Sequence, residues 1–255
     1  MNYELNSNLV DLNPFLEHNY SRMQEIPDSL YLRRLIMKKL IALLTVSVAA
    51  IAIAAADPIL VVHGFVNLNA LGSSYEADSP NSDKMSAFGA FGDNVSIGGG
   101  VGVNIPFAGY FGVQPGLDVY GNRIGFKYDN SDNITAFNYI SLDIPVLFTA
   151  KLEKWNFALG PYLSIPLGDL KFTMKNGSSE NSYDRDISSS VNVGLLLGVG
   201  YEERLGLGRI VFGARYMLDF MPIEVEFGGT TSKAFTRRGL EIDIGYKVPL
   251  TFFGG

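Results

Sequence analysis

The stretch Tyr139-Ile-Ser-Leu-Asp-Ile-Pro-Val-Leu-Phe-Thr-Ala-Lys151 decides the fold. Ile140, Leu142, Ile144, Val146, Phe148 and Ala150 fall on one set of alternate positions, and Tyr139, Ser141, Asp143, Thr149 and Lys151 on the other. A period of two belongs to an extended strand whose two faces meet different surroundings. The same period returns seven times. Leu240, Ile242, Ile244, Tyr246, Val248 and Leu250 oppose Glu241, Asp243, Gly245 and Lys247. Phe111, Val113, Leu117 and Val119 oppose Gln114, Gly116, Asp118 and Tyr120, and Phe157, Leu159, Leu163 and Ile165 oppose Asn156, Gly160, Tyr162 and Ser164. Two glycine-laced segments, 95–104 and 190–200, alternate in the same way, as do 60–69 and 210–219.

The sequence therefore predicts an all-β chain of eight strands, each about 10 residues long, the length that crosses a bilayer at a tilt. The connections alternate as well. Short turns are expected at 107–110, 153–154 and 202–208, and long polar loops at 73–94, 128–135, 168–186 and 222–236. Short turns at one end, long loops at the other and an even strand count give an eight-stranded antiparallel transmembrane β-barrel. A soluble sandwich alternates too. Against it stand the unequal loop lengths, the export signal described next, and aromatic residues near strand ends, namely Trp155, Tyr216, Phe220, Tyr246 and Phe252.

Residues 37–56 open on Met-Lys-Lys, run through an apolar stretch from Leu40 to Ile53, and end on Ala54-Ala55-Ala56. That is the order of a secretory signal, and its apolar part is too short to span a membrane as a helix. The preceding segment, 1–36, is polar and without glycine, and signals normally begin at the initiating Met; it is expected to be an upstream extension from a wrongly assigned start. Residues 57–255 form the barrel, and all 28 glycines lie within them. The chain has no cysteine and two histidines, which excludes thiolate zinc sites, disulfide scaffolds and His-rich metal clusters. Its formal charge of −6 argues against nucleic acid as a partner. No cofactor is expected.

The segments Phe111-Gly-Val-Gln-Pro-Gly-Leu-Asp-Val-Tyr120, Tyr139-Ile-Ser-Leu-Asp-Ile-Pro-Val-Leu-Phe148 and Ala158-Leu-Gly-Pro-Tyr-Leu163 resemble strands of the small outer-membrane barrels grouped with OmpA, OmpX and OmpW. The resemblance covers residues 57–255 in architecture, is nearest to OmpW, and rests on degenerate motifs. It implies an outer-membrane location, with the lipid bilayer as partner. The OmpW likeness implies passage of small hydrophobic molecules, and the OmpX likeness implies loops that adhere to host or surface ligands.

An eight-stranded interior is just wide enough for side chains, so an open pore is not expected. The inward face carries a candidate charge network of Asp143, Lys151, Arg215, Asp219, Glu241, Asp243 and Lys247, read as a plug centred on Arg215 with Glu241 or Asp243, or as a gate that opens by re-pairing. The glycines of strands two and six are expected to leave space beside them. With Leu147, Leu196, Val211, Tyr120, Tyr139 and Tyr162 they would line an off-centre, partly apolar cavity. His63 falls near the start of strand one, away from the long loops, and reads as a hydrogen-bonded filler rather than a catalyst. The functional expectation is a narrow channel or binding site for small molecules; the alternative is a sealed barrel whose exposed loops bind surface ligands. N-terminal sequencing of the exported protein is expected to begin at Asp57, and residues upstream of Met37 in the precursor would refute the assigned start.

Overall fold

The computed structural model describes residues 57–76, 85–128, 132–177, 179–188, 191–227 and 229–250. The export signal, the upstream segment and Phe252 lie outside them. Eight strands form the wall: β1 (Ile59–Leu68), β2 (Val95–Ala108), β3 (Phe111–Tyr128), β4 (Ile134–Leu152), β5 (Trp155–Asn176), β6 (Asn192–Leu205), β7 (Gly208–Asp219) and β8 (Arg238–Pro249). Each pairs antiparallel with its neighbour in sequence, and β1 pairs with β8 from Ile59↔Pro249 to Leu68↔Leu240, which closes the ring. Closure leaves the wall without an open edge. At one end β2–β3, β4–β5 and β6–β7 are joined by two-residue turns, where Gly109, Glu153 and Gly206 take φ between 52° and 60°.

The two faces are reversed relative to a soluble protein. Ile97, Phe148, Leu197, Phe212 and Ile244, from five different strands, each leave half or more of their surface uncovered on the outside. The inside buries Asp118, Asp143, Asp219 and Glu241 almost completely. A continuous apolar exterior around a charged interior suits a wall standing in lipid and cannot be a sandwich core. Trp155 packs edge-on against Tyr201 at the short-turn end, with their rings 5.4 Å apart. Exposed Tyr216 and Phe220 mark the opposite end of β7.

The strands are not of equal length. β1, β7 and β8 have 10 to 12 residues, but β3, β4 and β5 have 18, 19 and 22, and rise as a wall past the apolar belt. Two of the expected long loops are therefore largely strand, and a third is short. Tyr128–Thr135 is a short connection between two long strands. Gly168–Asp186 is the upper part of β5 with the returning strand Ser179–Arg185 paired to it. Pro222–Thr236 is the hairpin Ile223–Phe227/Thr230–Thr236, extended by Ser74–Tyr75. Above the belt the outward face meets water, so these strands lose the apolar alternation and look like loops in composition. On their inner side Ile124, Phe126, Phe137, Tyr139 and Leu170 pack against Ile223, Val225, Ala234 and Phe235. Phe137 and Phe235 have ring centroids 4.7 Å apart. The tall end is thus closed by an ordinary hydrophobic core.

Several glycines of β2 and β6 lie under large side chains rather than beside empty space, whereas Gly198 and Gly200 of β6 do border a small lumen cavity. A Cβ at Gly98 would overlap the Phe65 ring, one at Gly100 would overlap the Asp118 carboxylate, and one at Gly194 would overlap the Tyr162 ring. These positions are small because a facing strand places a large side chain over them. Gly98→Ala is expected to lower the unfolding free energy by about 1–3 kcal/mol, the usual cost of overpacking. Gly92→Ala, which adds a methyl to open space, should stay within ~0.5 kcal/mol. Urea titration of the folded barrel in detergent measures both, and equal effects would remove the packing explanation.

Candidate functional site

The inward residues collect into three charged levels along the barrel. The middle level centres on Arg215 of β7, whose register partner on β8 is Glu241. Their side chains form an ion pair, with Arg215 Nε donating to Glu241 Oε1 at 2.5 Å. Glu241 also accepts from the Tyr120 hydroxyl at 2.8 Å. Asp243 and Asp118 lie 3.7 and 3.9 Å from the same guanidinium. His63 links the group: its Nδ1 lies 3.0 Å from Arg215 Nη2 and its Nε2 lies 3.0 Å from Asp118 Oδ1. A guanidinium can only donate, so Nδ1 is the bare nitrogen and Nε2 carries the proton to Asp118.

A second level lies nearer the tall end and centres on Arg237, which is fully buried. Its Nη2 donates to Asp143 Oδ2 at 2.8 Å, its Nη1 donates to Asn122 Oδ1 at 3.1 Å, and its Nε lies 3.4 Å from Asp219 Oδ2. Ser141 and Ser164 donate to the other oxygen of Asp143 at 2.9 and 2.5 Å. Asp219 accepts from the Tyr162 hydroxyl and from Asn192 Nδ2. The guanidinium also lies over the Tyr120 and Tyr162 rings, 5.2 and 5.8 Å from their centroids. Each buried carboxylate of this level is thus paired and hydrogen-bonded, which is the condition for its burial.

The third level sits at the short-turn end around Glu202. Lys151 and Lys247 each donate to it at 2.5 Å and Arg209 at 3.2 Å. The seven predicted network residues therefore do not form one plug. Lys151 and Lys247 belong with Glu202, Arg215, Glu241 and Asp243 form the middle level, and Asp143 and Asp219 join the Arg237 level. Arg237, Asp118 and Glu202 were the missing members. Each was recoverable by extending an inward register: Arg237 continues 243, 241 and 239 backwards along β8, Glu202 continues 198 and 200 along β6, and Asp118 already alternates inward on β3.

The predicted cavity lining also divides. Tyr120, Leu147, Tyr162 and Leu196 pack with Phe65 and Met217 into a buried cluster. Tyr139 belongs to the core of the tall end. Only Leu147 and Val211 reach a lumen cavity, a space of about 70 Å³ beneath Arg215, His63 and Asp243. At the short-turn end a wider recess of about 490 Å³ opens at the level of Glu202. The reason is steric: eight strands leave room for large inward side chains or for a cavity, and the aromatic residues fill the upper two levels.

Residues 61–224 match the family model described as the outer membrane protein beta-barrel domain. Among curated proteins none matches the chain. Solved structures similar to it include OprG from Pseudomonas aeruginosa, at 12% identity over 76% of this chain and 97% of that one, with a TM-score of 0.46. Ail of Yersinia pestis, solved in complex with the heparin analogue sucrose octasulfate, is 14% identical over 75% of this chain and 98% of its own, with a TM-score of 0.37. Neisserial surface protein A is 14% identical over 75% and 96%, with a TM-score of 0.36.

Arg237→Met would leave two buried carboxylates, Asp143 and Asp219, without their cation. The expected loss is about 3–5 kcal/mol of stability. Asp143→Asn and Asp219→Asn added to that variant should recover part of the loss in the same denaturant titration. An added loss from the two asparagines would mean that charge is not what Arg237 balances.

Proposed function

The chain belongs to the outer membrane protein β-barrel domain family, and from that footing we propose that it is a sealed barrel whose working surface is its extracellular end. The observation that carries this reading is closure at successive heights. The Arg215 level and the Arg237 level each cross the lumen, and the hydrophobic core of the tall end lies beyond them. A conduit for small hydrophobic molecules would have to break two sets of buried ion pairs and then part Phe137 from Phe235. Removing one partner from a buried pair costs several kcal/mol, which makes spontaneous opening rare. The recess and the small cavity reach Arg215 from the short-turn side and end there.

In this family's layout the short turns face the periplasm and the longer connections face outward. The tall wall is then extracellular. It presents the returning strand Ser179–Arg185, whose side chains from Ser179 to Asp184 are all exposed, on a rigid base. Exposed segments held by a stable scaffold are where barrels of this size can bind surface ligands. The protein acts by binding, without catalysis; both ring nitrogens of His63 are engaged, and it lies far from that outer face.

Planar-bilayer recordings on the refolded protein are expected to show no discrete conductance, and a stable unitary conductance in the unaltered protein would overturn the sealed reading. Replacing the exposed Glu180, Asn181, Tyr183 and Asp184 by serine should leave the barrel folded and reduce retention of expressing cells on host-cell monolayers. Unchanged retention would count against the outer end as the working surface.

A further inference from the structure

We propose that the periplasmic mouth of the barrel is a binding site for a phosphate-bearing anion. The recess there holds about 490 Å³, within the range of small-ligand sites. Four cationic side chains line it, Lys151, Arg204, Arg209 and Lys247, against the single carboxylate of Glu202. Glu202 is already shared: its Oε1 accepts from Lys247, and its Oε2 accepts from both Lys151 and Arg209. The side chain of Arg204 forms no ion pair among the described residues. One carboxylate facing four cations leaves a formal excess of +3 in a recess.

A second observation points to an acceptor from outside the chain. Asn156 lines the same recess, and its side-chain Nδ2 is buried without any hydrogen-bond partner, while its Oδ1 lies 3.5 Å from the Lys247 ammonium. Buried donors are almost always satisfied. Here the unsatisfied one stands beside surplus cations, the arrangement that an oxyanion completes. Two ammoniums and two guanidiniums from different strands converge from different directions. That spread suits the three acceptor oxygens of a phosphate better than a flat carboxylate, which a single guanidinium can clamp.

The level above prevents the anion from going deeper. In the middle and upper levels five carboxylates, Asp118, Asp143, Asp219, Glu241 and Asp243, face two guanidiniums, a formal balance of −3. The field thus changes sign just above Asn156, and the mouth is a dead end for an anion. The rim is apolar, with Tyr110, Phe111 and Leu207 largely exposed. Such a rim sits where the inner-leaflet headgroups meet the wall, so the phosphate can come from a phospholipid headgroup or from a small soluble phosphate ester.

The test uses the full barrel. In zwitterionic micelles at low salt, inorganic phosphate and glycerol 3-phosphate are titrated while the Asn156 side-chain amide is followed by NMR. In parallel, phosphatidylcholine nanodiscs are compared with ones containing phosphatidylglycerol. A saturable shift with the soluble phosphates supports a soluble ligand, and a shift confined to phosphatidylglycerol discs supports the headgroup. In the responding arm, Arg204→Gln/Arg209→Gln should weaken binding by about tenfold, equivalent to ~1.4 kcal/mol. Both positions are exposed at the mouth, and should the double variant fail to refold, Arg204→Gln alone gives the same comparison with a smaller loss. No shift in either arm, or a shift that the variants leave unchanged, overturns the proposal.

Discussion

Two buried guanidiniums hold together an interior that would otherwise be a column of repelling carboxylates. Arg215 and Arg237 stand between five acids contributed by β3, β4, β7 and β8. Because the eight strands close on themselves, no acid can swing out to solvent without opening the ring. The interior therefore has to be paired internally, and the pairing runs between strands far apart in sequence. Arg237 reaches Asp143 and Asn122, and His63 reaches both Asp118 and Arg215. These contacts staple β1 to β3 and β7, and the start of β8 to β3 and β4, across the lumen as well as around the wall.

The rest of the architecture follows from placing that charged axis in lipid. The outer face must be apolar over the bilayer and may be polar above it, so the same strand changes its pattern at the membrane boundary. β5 illustrates the change: Phe157, Leu159 and Leu163 face outward below, and Asp169 and Lys171 are exposed in the segment above. Within the tall wall the rule reverts to that of a soluble domain, with Phe126, Phe137 and Phe235 inside. One chain thus uses two opposite burial rules at two heights. The small residues of β2 and β6 serve the charged axis as well, since Gly100 lies under Asp118 and Gly194 under Tyr162.

The three charged levels differ in sign as well as in place. The upper two are acidic in balance and closed on themselves, whereas the Glu202 level is basic and open at the short-turn end. This polarity along one axis separates a densely paired upper lumen from an accessible lower mouth, which is why the two ends of the molecule carry different functional readings.

Much of the fold was legible in the residues. Alternation at 139–151 and 240–250 located strands and their faces, and the short turns expected at 107–110, 153–154 and 202–208 gave the even count, because strand geometry and bilayer thickness act on every residue alike. The inward direction of Arg215, Glu241 and Asp143 followed from the same register. Composition could not reveal the wall above the membrane, since a strand wetted on its outer face has no apolar alternation to distinguish it from a loop. Nor could it say which inward charges meet. Alternation gives each side chain a face but not a partner across the lumen; barrel closure and the stagger of its strands set the heights at which Lys151 meets Glu202, Arg215 meets Glu241 and Arg237 meets Asp143. The membrane barrel was thus determined by local periodicity, and the pairing of its lumen charges was decided by tertiary structure, because only the closed ring brings those distant charges to the same level.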